Sequence, residues 1–467
     1  MTVNQRNLLK IQQEKIFGEP KHLTIVKPCT IGDGILQFSM DDFNDYKKIF
    51  EEGRHKVCVF IPASGSGSRM FEFVRDYLYR PSEKSRLLVE KMFRQIPDFA
   101  FFDSFSEEIK QRIFAGEVDW RFLLSFLMEK EGLNYGELPK GLFPFHRYAD
   151  GVRSAISEHI EQSTLINTPS ISFHFTIQKH FVKAIALEIE KIEIVTQKKF
   201  DVSYSEQDES SDAFVFNALK EPIKDSQGNF IRRPAGHGTL LPNLQSIDSS
   251  IIFIKNIDNI QHLSKSSPSI LVWSALAGLL AEIRAALKAI NDNPSFEKLV
   301  EINNRYGLYT DSELSKNESP EQFLSLINRP IRVCGMVKNE GFPGGGPFMV
   351  EKNGVITKQI IEKVQVVDNA AENLLFSSTH FNPVMMVICK NDLNDMPLEL
   401  SDFVDQDTYL NSTKSFEEQE VRFIELPGLW NGSMYFWNSV FVEIPNETFS
   451  PVKSALDLLD PLHMASI

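Results

Sequence analysis

The stretch Pro62-Ala63-Ser64-Gly65-Ser66-Gly67-Ser68-Arg69 constrains this chain more than any other. It follows directly on Lys56 to Pro62, where Cys58, Val59, Phe60 and Ile61 form an unbroken apolar run. Such a run fits a central strand buried on both faces. In α/β folds the turn beyond the carboxyl end of a central strand is the usual ligand crevice. Glycines let the backbone turn tightly and approach a ligand closely. Successive backbone N–H groups can cradle phosphate oxygens, and Arg69 can add a forked, charge-assisted contact. Two common phosphate motifs do not fit. A Walker A loop needs a lysine after the glycines, and a dinucleotide fingerprint needs a third glycine where Met70 stands. Taken alone, the loop also fits a structural turn with no ligand.

Further along, the pattern alternates between strands and helices, which predicts an α/β sheet covered by helices. Strands are expected at Ser170 to Ile177, Lys199 to Tyr204, Asp212 to Asn217, Ile251 to Asn256, Arg332 to Lys338, Met385 to Lys390 and Phe436 to Ile444. Helices are expected over Leu9 to Phe17, Asp41 to Gly53, Gly151 to Gln162, His180 to Ile192 and Ser274 to Ile290. Residues 84–132 read as mostly helical, Leu138 to Arg147 as a loop, and 291–328 as polar and irregular. The expected division is an N-terminal extension at 1–54 and a catalytic-type domain at 55–450, with a helical insertion at 75–137 and an irregular one at 291–328. A C-terminal segment, 451–467, is expected to fold back over the site.

Composition narrows the partners. The 467 residues carry a formal net charge of -14, and the sequence pI is about 5.3. Broad binding to nucleic acid needs a positive surface, so it is not expected. Cys29, Cys58, Cys334 and Cys389 form no CxxC pair or zinc-like cluster, and buried free thiols in a reducing cytoplasm are the expectation. The polar start, Met1 to Lys10, lacks a signal-peptide core, and no apolar run of about 18 residues is seen, so no membrane contact is expected. No obligate protein partner is evident. Phenylalanine is abundant, at 37 against 10 tyrosines, which reads as core filling.

Several residues outside the loop have chemistry worth placing. Asp258 stands just beyond the apolar Ile251 to Ile257. A carboxylate there suits one Mg²⁺ ion that keeps its waters and bridges phosphates, or a helix cap or turn. His237 sits between Gly236 and Gly238, where its ring could meet a base and the glycines could read the base edge, or where it could be structural. Lys338 to Pro347 contains three consecutive glycines between prolines, so Gly344 and Gly345 are candidates for close backbone contact with a substrate, or for a long hairpin connection. Asn382, in Thr379-His380-Phe381-Asn382-Pro383, is a candidate for a further wall of the pocket. Glu443 is one option for a second acid, or a solvated edge residue.

Read together, these segments resemble the UDP-sugar pyrophosphorylases and related sugar-1-phosphate nucleotidyltransferases. Gly65-Ser66-Gly67-Ser68-Arg69 is similar to their G-x-G-[TS]-R loop, with Ser64 in place of the usual first glycine. Pro139-Lys140-Gly141 resembles their P-K-G segment, although the connection from Arg69 is far longer. Gly236-His237-Gly238 resembles a G-H-G turn near the uridine base, and Asp258-Asn259 a metal-binding D-N. Trp437-Asn438-Ser439 is similar to a W-N-S motif of related guanylyltransferases, and Phe449 to Lys453 with Asp457-Leu458-Leu459 to an F-x-P-V-K…D-L-L stretch. As a whole the sequence also resembles an uncharacterised family common in Bacteroidetes that carries a domain of unknown function.

The resemblance implies a mixed, mostly parallel central sheet of the nucleotide-diphospho-sugar transferase type, a GT-A-like relative of the Rossmann fold. It implies a Mg²⁺-dependent reaction between a nucleoside triphosphate, with UTP favoured, and a sugar 1-phosphate. Arg69, Lys140 and Lys453 would act on phosphates; Ser64, Gly65, Ser66, Gly67, Ser68, Gly236, His237 and Gly238 would hold the nucleotide. Gly344, Gly345, Asn382 and Asn438 would hold substrate, and Asp258 the metal. The alternatives are a non-catalytic binder of nucleotide sugars or phosphometabolites, and a different phosphotransferase.

Overall fold

The computed structural model describes residues 3–18, 23–65, 67–341, 344–366, 369–416 and 419–465. The fold is mixed α/β with a central sheet, as the alternating pattern implies. Its contacts divide the chain into two compact units. One, the loop unit, comprises Arg54–Glu206, Phe253–Ser274 and Pro445–Ile467; the other comprises Met1–Gly53, Gln207–Ile252 and Ala275–Ile444. The strand Ile251–Ile254 and the helix Ser267–Asp292 are each shared between them.

In the loop unit, Lys56–Pro62, Ser170–Thr176 and Asp201–Ser205 are parallel neighbours in that order. Parallel pairing requires crossovers, and helices provide them. Ala155–Ser163 precedes the second strand and Val182–Thr196 precedes the third. Residues expected as a loop and as the first turns of a helix form a hairpin instead, Pro144–Tyr148 against Gly151–Ser154. The Asp150-Gly151 pair is the turn signal that this pattern contains, and the helix starts only at Ala155, behind an Ser154 cap on the N–H of Ser157.

The long connection between Arg69 and Lys140 is a small helical layer, Glu72–Tyr79, Glu83–Arg94, Glu107–Phe114 and Trp120–Met128. Much of the phenylalanine is used here. Phe71, Phe99, Phe101, Phe143 and Phe145 are each almost fully buried in one cluster, which also takes in Val452, Ala455, Leu456 and Leu458. Ring contacts at 5.2 Å (Phe71–Phe143) and 4.7 Å (Phe99–Phe101) run through it. Each such ring is worth about 1.5–3 kcal/mol of burial. The same core therefore anchors the glycine loop, the segment after Lys140 and the C-terminal tail.

In the other unit, Ile331–Met336 lies between Met385–Cys389, antiparallel, and Asn438–Glu443, parallel. A hairpin, Gly346–Lys352 with Val355–Ile361, pairs on its other side with Thr24–Pro28. Residues 291–328 are not irregular. They form helices at Phe296–Tyr306, Asp311–Leu314 and Pro320–Ile327, capped by Ser295, Thr310 and Ser319. Their polar surface concealed a buried face of Leu299, Tyr306, Phe323, Leu326 and Ile327. All four cysteines are free and buried, and burial pushes the Cys29 thiol up to about 12. Among the described residues the helix Ser267–Asp292 has the length and composition to cross a membrane, and 61% of its apolar window is buried inside the protein, as in a core helix.

Candidate functional site

The glycine loop leaves the carboxyl end of Lys56–Pro62 and turns into a short 3-10 helix, Gly67–Phe71. Gly67 is buried, and its N–H donates to the carbonyl of Leu138 at 3.0 Å. A Cβ on Gly67 would lie 2.8 Å from that carbonyl oxygen. The loop thus packs directly on the Pro139-Lys140 turn, and the helical insertion closes on itself between the two. Ser64 accepts on its carbonyl from Gln178 at 2.8 Å; Gly65 and Arg69 are exposed, and Ser68 is half-buried. Ser66 lies outside the described residues.

Gly141 explains the next part of the geometry. A Cβ there would lie 2.9 Å from Ile156 and 3.4 Å from Ile257, so the turn carrying Lys140 is pressed against the segment carrying Asp258. Lys140 Nζ reaches Asp258 Oδ2 at 3.1 Å and the carbonyl of Val452 at 2.7 Å. Lys453 Nζ reaches the same Oδ2 at 3.0 Å. The tail is held there by its backbone, since Val452 N donates to the carbonyl of Asp258 at 2.9 Å and Asn259 and Pro451 form a β-bridge. The side chains of Lys140 and Asp258 are each 13% exposed, whereas that of Lys453 is 70% exposed.

The electrostatics follow from this crowding. Burial pulls the Asp258 carboxyl up, but the charges of Lys140 and then Lys453 outweigh it and hold it below the ordinary carboxylate range. Burial lowers Lys140, and the nearby charges of Lys453 and Arg69 add to that against the pull of Asp258. Two ammonium groups therefore converge on one ionised carboxylate, and the Arg69 charge acts on Lys140, leaving positive charge in excess beside the exposed Gly65. That is an arrangement for an anion carrying several oxygens.

Among the described residues no group of three or more His, Cys, Asp and Glu is placed to hold a metal. Asp258 offers one ionised carboxylate, and both ammonium groups meet its Oδ2. This donor set suits Mg²⁺ only as an ion bound through Oδ1, with waters and ligand phosphates completing it.

The remaining candidates lie in the other unit. His237 Nδ1 accepts from Leu429 N at 2.9 Å, which places its proton on Nε2, facing Glu362 Oε1 at 3.3 Å; the ring stacks on Trp430 at 4.2 Å. Gly236 has φ +77°, and a Cβ on Gly238 would lie 2.1 Å from the carbonyl oxygen of Pro427. A Cβ on Gly344 would meet Phe381 at 2.4 Å, and one on Gly345 would meet the Ile361 carbonyl at 1.7 Å. The close approaches that require glycine here are to the protein's own chain. Asn438 starts its strand, is buried, and donates to the carbonyl of Ile327 at 3.2 Å. It stands at the opposite end of that strand from Glu443. Asn382 is half-buried, with its Oδ1 unpartnered among the described residues. Glu443 accepts from Gln37 at 2.9 Å and meets His380 Nε2 at 3.0 Å. Burial raises its carboxyl, but those hydrogen bonds and the Lys338 charge hold it lower.

The structure thus brings Arg69, Lys140, Asp258 and Lys453 together in the loop unit. The sequence reading missed what fixes them, chiefly the acceptor Val452 O and the buried polar residues below it. His146, Glu158, Gln162 and His463 show no motif, and only their polarity within apolar runs could have marked them.

A family described as a domain of unknown function (DUF4301) matches residues 4–464. No curated protein matches the sequence. Among solved structures, the fold is similar to UDP-N-acetylglucosamine pyrophosphorylase from Trypanosoma brucei, at 11% identity and TM-score 0.50 over 97% of this chain and 74% of that one. A putative UDP-N-acetylglucosamine pyrophosphorylase from Entamoeba histolytica matches at 12% identity and TM-score 0.46, over 90% of this chain and 80% of that one. A UDP-glucose pyrophosphorylase mutant from Leishmania major matches at 11% identity and TM-score 0.47, over 97% and 73%.

Proposed function

This chain belongs to the DUF4301 family, and we propose that it is a nucleotidyltransferase that joins a nucleoside triphosphate to a sugar 1-phosphate. The observation that supports the reading is the convergence of Lys140 and Lys453 on Asp258, with the Arg69 charge acting on Lys140, beside the loop that carries Gly65 and Gly67. A phosphate oxygen of the sugar phosphate attacks the α-phosphorus of the triphosphate. The new P–O bond forms as the α–β phosphoanhydride bond breaks, and pyrophosphate leaves with the electron pair. No covalent protein nucleophile is needed, so the residues act by placing and neutralising phosphates. Lys140, buried and held by two acceptors, is suited to bridge the α-phosphate and the incoming phosphate. Lys453, with its exposed stem, is suited to exchange Asp258 for a phosphate of the triphosphate. The exposed turn at Gly65 and the Arg69 fork would take the remaining oxygens. Mg²⁺ held by Asp258 and ligand phosphates would supply further charge neutralisation.

UTP is favoured among the triphosphates because the motif resemblance is to the UDP-sugar branch. The capture of Asp258 by two ammonium groups favours a second reading, a binder of nucleotide sugars that has no turnover. A thermal-shift series separates binding from its absence, because a ligand that binds only the native state raises its melting temperature. UTP with Mg²⁺ is expected to raise the melting temperature, and Lys140→Met is expected to remove that rise. Equal shifts in both proteins would place the phosphates elsewhere.

A further inference from the structure

One face of the Ala155–Ser163 helix is polar yet buried. Glu158, His159 and Gln162 are each 3% exposed or less. All three point into contacts with segments that carry site residues. His159 Nε2 meets the carbonyl of Ile257 at 3.2 Å, next to Asp258. Gln162 donates to the carbonyl of Gln261 at 2.6 Å and to Glu158 Oε2 at 2.8 Å. Glu158 Oε1 meets His146 Nδ1 at 2.7 Å, on the strand just after the Lys140 turn. His146 Nε2 meets His463 Nδ1 at 2.9 Å, and His463 Nε2 meets the carbonyl of Ser450 at 3.1 Å.

The protons in this chain are determined by its last acceptor. A carbonyl only accepts, so His463 carries its proton on Nε2 and its Nδ1 must accept. His146 therefore donates from Nε2. Leu263 N donates to the Tyr148 hydroxyl at 2.9 Å, and that hydroxyl donates to Glu158 Oε1 at 2.5 Å. One proton is then shared between His146 Nδ1 and Glu158 Oε1. His262, stacked on Tyr148 at 4.3 Å, also faces the cluster, with Lys265 acting on it; Arg153 lies over the Tyr148 ring, paired with Glu161 and Asp150. His463 is pushed down to about 3 by burial and by His146, so it stays neutral over the working range.

We propose that His463 is a positioning residue, which through the relay from Glu158 fixes the tail at Ser450 and so places Lys453 and the Val452 carbonyl at Asp258. This rests on the reading of Lys453 as a phosphate contact. Val452 and Lys453 stand two and three residues beyond the Ser450 carbonyl that His463 holds. A tail released at Ser450 would withdraw Lys453 and also one of the two acceptors of Lys140. Asn259 Oδ1, which accepts from Ser450 N at 2.8 Å, holds the same residue from its other side.

The test uses the full chain with three substitutions. His463→Ala breaks both links. His463→Asn keeps an acceptor for His146 but is too short to reach Ser450, and it carries the test if the alanine variant does not fold. His463→Gln can reach both and is the rescue. Hydrogen exchange of the ligand-free protein should be roughly tenfold faster over residues 449–455 in the alanine and asparagine variants, and near wild type in the glutamine variant. The KM for UTP should rise roughly tenfold with kcat nearly unchanged, as for a contact made in both ground and transition states. Exchange unchanged over 449–455, or raised equally throughout the loop unit, would overturn the proposal. A wild-type protein that releases no pyrophosphate fails the functional reading instead, and the exchange result stands apart from it.

Discussion

Asp258 holds both lysines of the candidate site through one oxygen. Its ionised form is stabilised by Lys140 and Lys453, so its carboxyl titrates below the ordinary value near 3.8. A carboxyl lowered on folding contributes stability that is complete above its unfolded value and is lost as pH falls through its folded one. Asp258→Asn leaves two ammonium groups facing each other near a third cation. We expect a loss of about 2 kcal/mol at neutral pH by urea denaturation, discounted for the exposure of Lys453. The difference from wild type should shrink once the pH falls below about 4. A constant difference across that range would show that the lost contacts are not ionic. The sequence showed Asp258 as an acid beyond an apolar strand. It did not show that both lysines would meet the same oxygen, because 118 and 195 residues separate the partners.

At the scale of elements, glycines are the clearest signal in the sequence and also the one most open to misreading. Gly67 marks a real close approach, to the Leu138 carbonyl. Gly67→Ala should push the loop off the Lys140 turn and cost about 1–3 kcal/mol. Gly345 marks a closer one, at 1.7 Å to the Ile361 carbonyl, within its own hairpin. Gly345→Ala should therefore destabilise the fold more than Gly67→Ala does. Melting temperatures in the reverse order would contradict the packing account. Three glycines in a row announce close contact, but not whether the partner is a ligand or the protein itself. The helices within 291–328 were missed because their polar surface reads as irregular, although a cap signal is present in Ser319-Pro320-Glu321-Gln322, where Ser319 and Gln322 form a capping box. Ser319→Ala should cost about 1 kcal/mol in urea denaturation, and no loss would mean that the helix is held by packing alone.

For the molecule as a whole, the strand ahead of the glycine loop and the alternation of elements were enough to imply a mixed α/β fold. The TM-score of 0.50 with a pyrophosphorylase fold supports that architecture at 11% identity. In the loop unit Val452, Ala455, Leu456 and Leu458 of the tail share the core that holds the loop. That burial depends on a phenylalanine layer whose residues are scattered between Phe71 and Phe145, so local periodicity could not reveal it. The central claim is that the cations around Asp258 handle the phosphates of a nucleotidyl transfer. Its most direct measurement is the release of pyrophosphate from UTP and Mg²⁺ against a panel of sugar 1-phosphates, in wild type and Lys140→Met. The account predicts release that requires one of the sugar phosphates and falls at least roughly a hundredfold in the variant, as when a charge aimed at the transition state is removed. Release of orthophosphate with UDP, or pyrophosphate release that Lys140→Met leaves unchanged, would contradict it.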